Sequence, residues 1–280
     1  MVKAVLTLET PAAVRVSADI HLALRSVSHT YPARAAQGPV PALGPLDLGF
    51  RCGEFVGVVG PSGCGKSTLL EIIAGLVTPT SGTIEMEGRD ITGTVADEIG
   101  VVFQEDATFA WLNVWDNVAF GLRRAGTDGA EIARRVDDAL AFMGLTGFRG
   151  AYPAQLSGGM RQRVCIARTL VLRPRLILLD EPFGALDQQT RLLMGEELLR
   201  LWRETGATVM LITHALDEAA LLSDRVAVMS ARPGRLIDIV TTGWPRERDS
   251  TLVADPTFGG LTGRLWALLR DESKKALGVS

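Results

Sequence analysis

Several features that define other classes of protein are scarce or missing in this chain of 280 residues. It has three cysteines, and none of them forms the C-x-x-C pairs or the spacing typical of zinc sites. No apolar run approaches the ~20 residues that a membrane-spanning helix needs. The net charge of −3 gives no sign of the basic surface that nucleic-acid-binding proteins carry. These scarcities argue against a zinc protein, an integral membrane protein and a protein with a nucleic-acid partner.

The N-terminal segment, residues 1–19, is predicted to be a loose leader. It contains the acidic Glu9 and no long apolar core, so it does not have the pattern of a secretory signal. The chain as a whole is 47% hydrophobic, which is enough for one well-buried α/β unit with an inserted subdomain. The absence of a secretory-signal pattern, together with Cys64 in an open loop, favours a cytosolic protein.

A glycine-rich motif, GPSGCGKST, occupies residues 60–68 and has the G-x-x-x-x-G-K-S spacing of a phosphate-binding P-loop. The apolar run at residues 54–59 predicts a buried strand before it. A helix is predicted after it, ending near Gly75, from apolar residues at helical spacing, Leu69, Ile72, Ile73 and Leu76. This strand, loop and helix favour phosphate binding over a plain glycine-rich turn.

In a P-loop the backbone N–H groups surround phosphate oxygens, because glycines let the chain curl around them. The Lys66 ammonium adds positive charge, and the Ser67 hydroxyl is a candidate Mg²⁺ ligand. The sequence therefore predicts a site for ATP and Mg²⁺. The predicted phosphate-binding residues are Gly60, Pro61, Ser62, Gly63, Cys64, Gly65, Lys66, Ser67 and Thr68.

Two further apolar runs end in residues suited to catalysis. Residues 176–179 lead into Asp180 and Glu181, and residues 208–213 lead into His214. The carboxyl ends of strands in an open parallel sheet meet at the ligand site, so we expect these side chains near the P-loop. Asp180 is then a predicted Mg²⁺ ligand, while Glu181 as general base and His214 are predicted catalytic residues. Taken alone, an acidic turn and a structural histidine are the alternatives.

Gln104 follows another predicted strand end, at residues 101–103. Its amide is within possible reach of Mg²⁺ or the attacking water, so it is predicted both as a metal ligand and as a catalytic residue. Without the neighbouring motifs, this glutamine would carry no functional meaning.

A second distinctive motif, LSGGM, lies at residues 156–160. Ser157 is a good N-cap, and a helix is predicted from residue 161 to 171, ending before Pro174. The hydroxyl, the N–H groups of Gly158 and Gly159 and the helix dipole together make a second anion site. An ordinary capped helix would explain these five residues but not their occurrence with a P-loop.

In this combination and order, the motifs resemble those of the ATP-binding subunits of ABC transporters, over about residues 20–240. The resemblance implies an α/β P-loop NTPase fold, with a RecA-like core, an antiparallel β subdomain and an inserted helical subdomain. It predicts an ATPase domain at residues 20–245, with the helical subdomain at about 105–172, and a C-terminal tail at 246–280. It also implies a head-to-tail dimer, in which Ser157, Gly158 and Gly159 reach the γ-phosphate of the nucleotide held by the opposite subunit.

The resemblance assigns further roles. Tyr31 matches the aromatic residue that stacks on adenine, the alternative being a surface tyrosine at a strand end. Gln104 matches the hinge glutamine of the family, and residues 184–187, GALD, match the loop that links the two sites of the dimer.

Several motifs are similar to those of the importer ATPases for nitrate, taurine and alkanesulfonates. They comprise Met160 and residues 101–104, 111–114, 116–122, 180–187 and 231–235. One departure is Ala110, where that branch usually has proline, in a segment that faces the membrane subunit. This similarity implies import of a small anion, a membrane permease as partner and, indirectly, a substrate-binding protein. The chain is then expected as a peripheral subunit on the cytoplasmic face of the bacterial inner membrane.

Two alternatives to transport remain at this point: a soluble ABC ATPase acting on DNA or ribosomes, and a scaffold that binds ATP without turnover. Four aromatic residues also allow two interpretations, a groove for a permease helix or the core of the helical subdomain: Phe109, Trp111, Trp115 and Phe120.

Residues 33–43 are predicted to be a surface insertion, and two strands are predicted at residues 226–229 and 236–240. A tail helix is predicted to pack on its own domain through Leu261, Leu265, Trp266, Leu268 and Leu269.

Overall fold

The computed structural model describes residues 20–33, 38–104, 107–184 and 186–278. The predicted leader, part of the predicted insertion (residues 34–37) and Ala185 of the GALD loop lie outside these ranges. The strands are β1 (Ile20–Tyr31), β2 (Val40–Arg51), β3 (Phe55–Val59), β4 (Ser81–Met86), β5 (Arg89–Asp90), β6 (Ile99–Val102), β7 (Leu176–Asp180), β8 (Thr208–Ile212), β9 (Arg225–Met229) and β10 (Leu236–Thr241). The α-helices are α1 (Lys66–Ile73), α2 (Val114–Arg124), α3 (Gly129–Phe142), α4 (Gly158–Leu170), α5 (Gln188–Thr205), α6 (Leu216–Leu222) and α7 (Pro256–Leu277).

The central element is a six-stranded sheet in the order β10-β9-β3-β8-β7-β6. All its neighbouring strands are parallel except β10, which pairs antiparallel with β9. Strands β3, β7 and β8 are buried at every position, which explains why each reads as an unbroken apolar run. The α/β fold class predicted from the sequence is confirmed.

A second sheet, antiparallel, has the order β2-β1-β4-β5. Its apolar face shares one core with helix α1 and one side of the central sheet; Leu22, Phe50, Ile72 and Leu178 are all fully buried there. This sheet is the predicted antiparallel β layer. Because it packs against α1, it holds the end of β1 beside the loop that precedes that helix.

The other side of the central sheet is covered by helices, in a core that includes Val118, Val136, Leu199 and Trp202. Helices α2, α3 and α4 lie between β6 and β7 in the chain, within the residues predicted for the helical subdomain. The division into a leader, an ATPase domain and a tail stays a prediction. None of the helices in the described ranges is long and apolar enough to cross a membrane.

Two local predictions about the first half of the chain are wrong. Helix α1 ends at Ile73, and Leu76 lies outside it with 53% of its surface exposed. Gly75 has a φ of 74°, and a Cβ there would lie 2.1 Å from the Thr94 carbonyl oxygen, so the chain turns at the glycine as predicted but before Leu76. Residues 40–43, predicted as part of a surface insertion, instead begin β2, and Leu43 is buried.

Helix α7 confirms that the tail packs on its own domain, because Phe258, Leu265 and Leu269 are buried in the main core. Trp266 was predicted on the same face but is 54% exposed. Leu265 and Leu269, about one helical turn apart, are buried on one face of α7, and Trp266 points to a different side of the helix. Helix α4 ends at Leu170, close to its predicted limit of residue 171, but begins earlier than predicted, at Gly158.

Candidate functional site

A cleft of about 610 Å³ lies where the P-loop meets the ends of β6 and β7. Its size is within the range of small-molecule sites, which are typically about 300–1,000 Å³. The predicted site residues that line it are Tyr31, Ser62, Gly63, Gly65, Lys66, Ser67, Thr68, Gln104 and Glu181. The topology therefore brings most of the predicted nucleotide-binding residues to one place.

The glycines of the P-loop are required by its backbone. Gly65 has a φ of 109°, and a Cβ there would lie 2.7 Å from the carbonyl oxygen of Ala42. Gly65 is also the N-cap of α1 and provides no side-chain hydrogen bond to the helix, so the first N–H groups are left for an anion. The buried Lys66 side chain donates to the carbonyl oxygens of Gly60 at 2.8 Å and Pro61 at 3.1 Å. The positive charge is thus held within the loop itself.

Three predicted catalytic side chains meet at the carboxyl ends of three neighbouring strands. Gln104 follows β6, Glu181 follows β7 and His214 follows β8. One carboxylate oxygen, Oε2 of Glu181, accepts a hydrogen bond from Gln104 Nε2 at 3.1 Å and lies 3.1 Å from His214 Nδ1. The carboxylate is therefore placed between an amide and an imidazole, as expected for parallel strands that end together.

The backbone of Glu181 is in the left-handed region, with a φ of 46°. This conformation costs a non-glycine residue roughly 1–3 kcal/mol and is concentrated at functional sites. The Glu181 N–H donates to the Ile212 carbonyl oxygen at 2.9 Å, which ties the turn after β7 to β8. The turn thus directs the carboxylate toward the cleft.

Asp180, the predicted Mg²⁺ ligand, is buried at the end of β7. Burial raises the pKa of its carboxyl, and the Glu181 charge acts in the same direction, while the Ser67 hydroxyl and Lys66 oppose the shift. Its Oδ1 is buried and has no hydrogen-bond partner within the described ranges. A cation beside Ser67 would satisfy that oxygen, so the residues fit Mg²⁺. The described part of the chain has no cluster of three acidic, histidine or cysteine side chains that could hold a metal ion.

Tyr31 ends β1 at the wall of the cleft and is half-buried. Its hydroxyl lies 3.1 Å from the Thr68 hydroxyl, and its ring meets His29 edge-on at 4.5 Å. The aromatic ring is thus anchored next to the P-loop, where the stacking role assigned to it is sterically reasonable. The role itself stays a prediction.

The LSGGM motif lies apart from this cleft. Ser157 caps α4, because its hydroxyl accepts a hydrogen bond from the Met160 N–H at 3.3 Å. Ser157 and Gly158 are exposed, and neither they nor Gly159 line the cleft. A Cβ on Gly159 would lie 2.8 Å from Leu186, so the GALD loop packs against the motif. Within one chain, the second anion site therefore faces outward.

The profile of the family described as ABC transporter matches residues 43–184. The chain belongs to the ABC transporter family. It is 46% identical over 215 residues to a taurine import ATP-binding protein of Jannaschia sp., a match covering 77% of this chain and 80% of that protein. It is 41% identical over 257 residues to a nitrate import ATP-binding protein of Synechocystis sp., covering 90% and 96%. The predicted similarity to this branch of ABC proteins is confirmed.

A solved structure of an ATP-binding cassette, a dimer in a post-hydrolysis state bound to ADP and Pi, matches with a TM-score of 0.71 and 32% identity. The match covers 80% of this chain and all of that one. The P-loop NTPase fold predicted from the sequence is confirmed. Since ABC ATP-binding proteins hydrolyse ATP, the predicted ATPase activity is confirmed as well.

The sequence missed two parts of this ABC ATPase site. Arg232, predicted only as part of the importer motif at residues 231–235, lines the cleft and donates from Nε to the Gly63 carbonyl oxygen at 3.0 Å. Glu218 is buried and accepts a hydrogen bond from the hydroxyl of Thr213, the residue before His214. Burial raises the pKa of Glu218 to about 7. Arg232 reaches the cleft through its contact with Gly63, which lies far away in the chain, so no local pattern indicates it. The contact of Glu218 with Thr213 is local, since the two residues are five positions apart.

Proposed function

We propose that this chain is the ATP-hydrolysing subunit of an importer and couples hydrolysis in a head-to-tail dimer to the uptake of a small anion. The observation that carries the catalytic part is the convergence of Gln104, Glu181 and His214 at the mouth of the P-loop cleft. The import role is supported by the taurine and nitrate import proteins that the chain resembles.

The chain's own groups suggest a division of labour. The N–H groups at the start of α1 and the Lys66 ammonium bind the phosphate chain of ATP. Ser67 and Asp180, with Gln104, are the residues that would hold Mg²⁺, which supplies charge neutralisation of the phosphates. The Glu181 carboxylate accepts a proton from the attacking water, and His214, at 3.1 Å from it, orients that carboxylate and the water.

The partner that completes the site is a second copy of this chain. Ser157, Gly158 and Gly159 stand at an exposed helix N-terminus and do not line the chain's own cleft. Placed over the cleft of a second copy, the same N–H groups meet the γ-phosphate. The dimeric cassette structure described above supports this arrangement.

An exposed aromatic surface fits the contact with a membrane permease. It consists of the exposed Trp111 and Phe120 and the partly buried Phe109, whose ring lies 5.4 Å from that of Trp111 and 4.7 Å from that of Phe120. Trp111 is 73% exposed and Phe120 is 43% exposed, and contiguous exposed apolar side chains of this kind are typical of interaction sites. Trp115, by contrast, is partly buried against the core. The four aromatic residues thus divide between the two interpretations left open by the sequence.

This aromatic surface is connected to the catalytic residues. It follows Gln104 closely in the chain, and Asn117 holds it by accepting from the Phe109 N–H at 2.8 Å and donating to the Phe109 carbonyl at 3.1 Å. In this proposal, a shift of Gln104 on ATP binding would pass along the chain to the surface, since only four residues separate Gln104 from Phe109. This is a physical route for coupling hydrolysis to a permease.

The cargo is proposed to be a sulfonate, taurine or nitrate, delivered to the permease by a substrate-binding protein. This proposal is supported only by the names of the similar proteins, because the ATPase subunit itself does not touch the cargo in such an arrangement. The chain would then be peripheral, on the cytoplasmic face of the bacterial inner membrane.

The experiment is affinity capture of the tagged chain from native membranes, with Trp111→Ala as the test variant. Trp266→Ala is the matched control, since Trp266 is also exposed but lies on α7. We expect a stoichiometric integral membrane protein with the wild type and the control, and much less of it with Trp111→Ala. Reconstitution of the captured complex with taurine, nitrate, an alkanesulfonate and a polyamine then tests the cargo.

Other outcomes would contradict parts of this proposal. Capture of ribosomes or DNA-repair proteins alone would leave the ATPase assignment intact and overturn the transport role. Transport of the polyamine but of none of the three anions would overturn the cargo class only.

A further inference from the structure

The turn between β9 and β10 brings an arginine to the nucleotide cleft. Arg232 is exposed, lines the cleft together with Lys66 and Ser67, and donates from Nε to the Gly63 carbonyl oxygen at 3.0 Å. Among the described residues, its two terminal nitrogens have no hydrogen-bond or ion-pair partner. A guanidinium held by one edge keeps donors free in a planar fork that matches phosphate oxygens.

This turn is fixed against the P-loop rather than loosely placed near it. Gly234 donates its N–H to Ala42 and accepts from the N–H of Gly44, both at 2.9 Å. A Cβ on Gly234 would lie 2.1 Å from the carbonyl oxygen of Cys64, so only glycine allows this approach. The position of Arg232 is therefore set by the backbone on both sides of the cleft entrance.

The C-terminal helix supports the same turn from outside. Oε2 of Glu272, on α7, accepts a hydrogen bond from the Ala231 N–H at 2.8 Å, one residue before Arg232. The hydrogen bonds from Lys275 and Ala231 lower the pKa of Glu272, so it is ionised at neutral pH. A charged acceptor makes this a stronger bond than a neutral one. Helix α7 thus contacts Ala231, the residue that precedes Arg232 in the chain.

The charge of Arg232 already acts on the P-loop. Burial raises the pKa of the Cys64 thiol, and the charges of Lys66 and Arg232 both oppose that shift. Two cations therefore surround the loop that is expected to bind phosphates. One of them, Lys66, is buried and bound to the loop, while the other is exposed at the rim.

We propose that Arg232 binds the phosphate chain of the nucleotide as a second cation beside Lys66, and that Glu272 of α7 is its positioning residue. The inference rests on the nucleotide site proposed above and extends it by a specific ligand contact. It gives the C-terminal tail a role, because the tail fixes the turn that presents the arginine.

The direct test is titration of the purified chain with ATP, ADP and AMP, comparing the wild type with Arg232→Gln. A charge-assisted hydrogen bond is worth about 1.5–3 kcal/mol, so the affinity for ATP and ADP should fall about tenfold or more. Binding of AMP should change less than about twofold, since it lacks the outer phosphates. Arg232→Lys keeps the charge without the fork, and should recover part of the loss.

The matched control is Arg264→Gln, which removes an exposed arginine that pairs with Asp238 away from the cleft. Unchanged ATP affinity in Arg232→Gln would overturn the proposal, and so would an equal loss for AMP, which would indicate contact with the base or ribose. Lys66→Ala distinguishes the Arg232 contact from the nucleotide site as a whole. If that variant loses ATP binding while Arg232→Gln does not, only this inference fails; if the wild type binds no nucleotide, the proposed site fails.

The positioning role is tested with two variants of Glu272. Glu272→Gln keeps an oxygen that can accept from the Ala231 N–H, whereas Glu272→Ala removes it. We expect Glu272→Ala to weaken ATP binding about threefold and Glu272→Gln to restore most of that loss. In the Arg232→Gln background, Glu272→Ala should add nothing. An additive effect there, or an equal loss in both Glu272 variants, would show that α7 does not act through Arg232.

Discussion

Two helix N-termini of this protein carry the features of anion sites, but they differ in how they are covered. The start of α1 opens into a cleft, beside the buried Lys66 and Glu181, the predicted general base. The start of α4, at Ser157, is exposed and lines no part of that cleft. The start of α1 is therefore predicted to bind the nucleotide within this chain. The start of α4 is exposed, so the anion that it is predicted to bind would belong to another molecule.

The two helices also differ in how their first N–H groups are satisfied. Helix α4 is capped by the Ser157 hydroxyl, whereas Gly65 at α1 provides no side-chain cap. An uncapped N-terminus retains unsatisfied donors until an anion arrives, so α1 is the one that depends on phosphate. In the dimer proposed above, we therefore expect nucleotide to bind first at α1 and α4 of a second copy to join afterwards.

The largest effect is expected from removal of the general base at the α1 site. Glu181→Gln keeps the shape of the side chain but cannot accept the proton, so turnover should fall by about 10²–10⁴. ATP binding should remain, because the P-loop is unchanged. The measurement is the steady-state ATPase rate, with Glu204→Gln, an exposed glutamate at the end of α5, as control. A normal rate in Glu181→Gln would remove the general-base assignment.

A smaller effect concerns the buried Glu218, which accepts a hydrogen bond from Thr213, the residue before His214. Burial raises its pKa from 4.5 to about 7, so the folded protein keeps this proton at pH values where the unfolded chain loses it. The free energy of unfolding should therefore decrease from about pH 4.5 to 7 and then level off, by about 3 kcal/mol in total from this group.

Glu218→Gln should remove that part of the pH dependence and leave the protein more stable than the wild type at pH 8. Denaturant unfolding between pH 5 and 8 measures this, again with Glu204→Gln as the control. The same slope in Glu218→Gln and in the wild type would show that Glu218 is ionised in the folded state.

The smallest effect tests the cap at α4. Ser157→Ala removes the hydroxyl that accepts from Met160, which should lower the free energy of unfolding by about 1 kcal/mol. Gly65 at the start of α1 has no side-chain cap that a substitution by alanine could remove, so this test applies only to α4. A change of less than a few tenths of a kcal/mol would mean that water satisfies α4 as well as the serine does.

Much of the site was predictable because it depends on local patterns. The P-loop follows from glycine spacing between a strand and a helix, and the meeting of Gln104, Glu181 and His214 follows from the rule that parallel strands end together. What could not be predicted depends on tertiary contacts. Arg232 reaches the cleft because β9, which precedes its turn, lies beside β3. Trp266 is exposed because α7 packs with Leu265 toward the core.

The same limit explains the error at residues 40–43. Their proline- and glycine-rich surroundings are typical of a loop, yet they pair with β1 as the start of β2. Pairing with a long neighbouring strand outweighs weak local strand propensity. The left-handed backbone of Glu181 also has no sequence signal, since it arises in the turn after β7, where the Glu181 N–H donates to the Ile212 carbonyl oxygen of β8.

The central claim is that the α4 site of one copy completes the α1 site of another. The most direct measurement is the molar mass of Glu181→Gln in solution with ATP, compared with a variant that also carries Ser157→Arg. Ala130→Arg, which adds an arginine at the exposed start of α3, is the control. We predict an ATP-dependent dimer for Glu181→Gln and for the control, and an ATP-bound monomer for the Ser157→Arg double variant. A dimer that persists with Ser157→Arg, or loss of ATP binding by that monomer, would contradict the shared site.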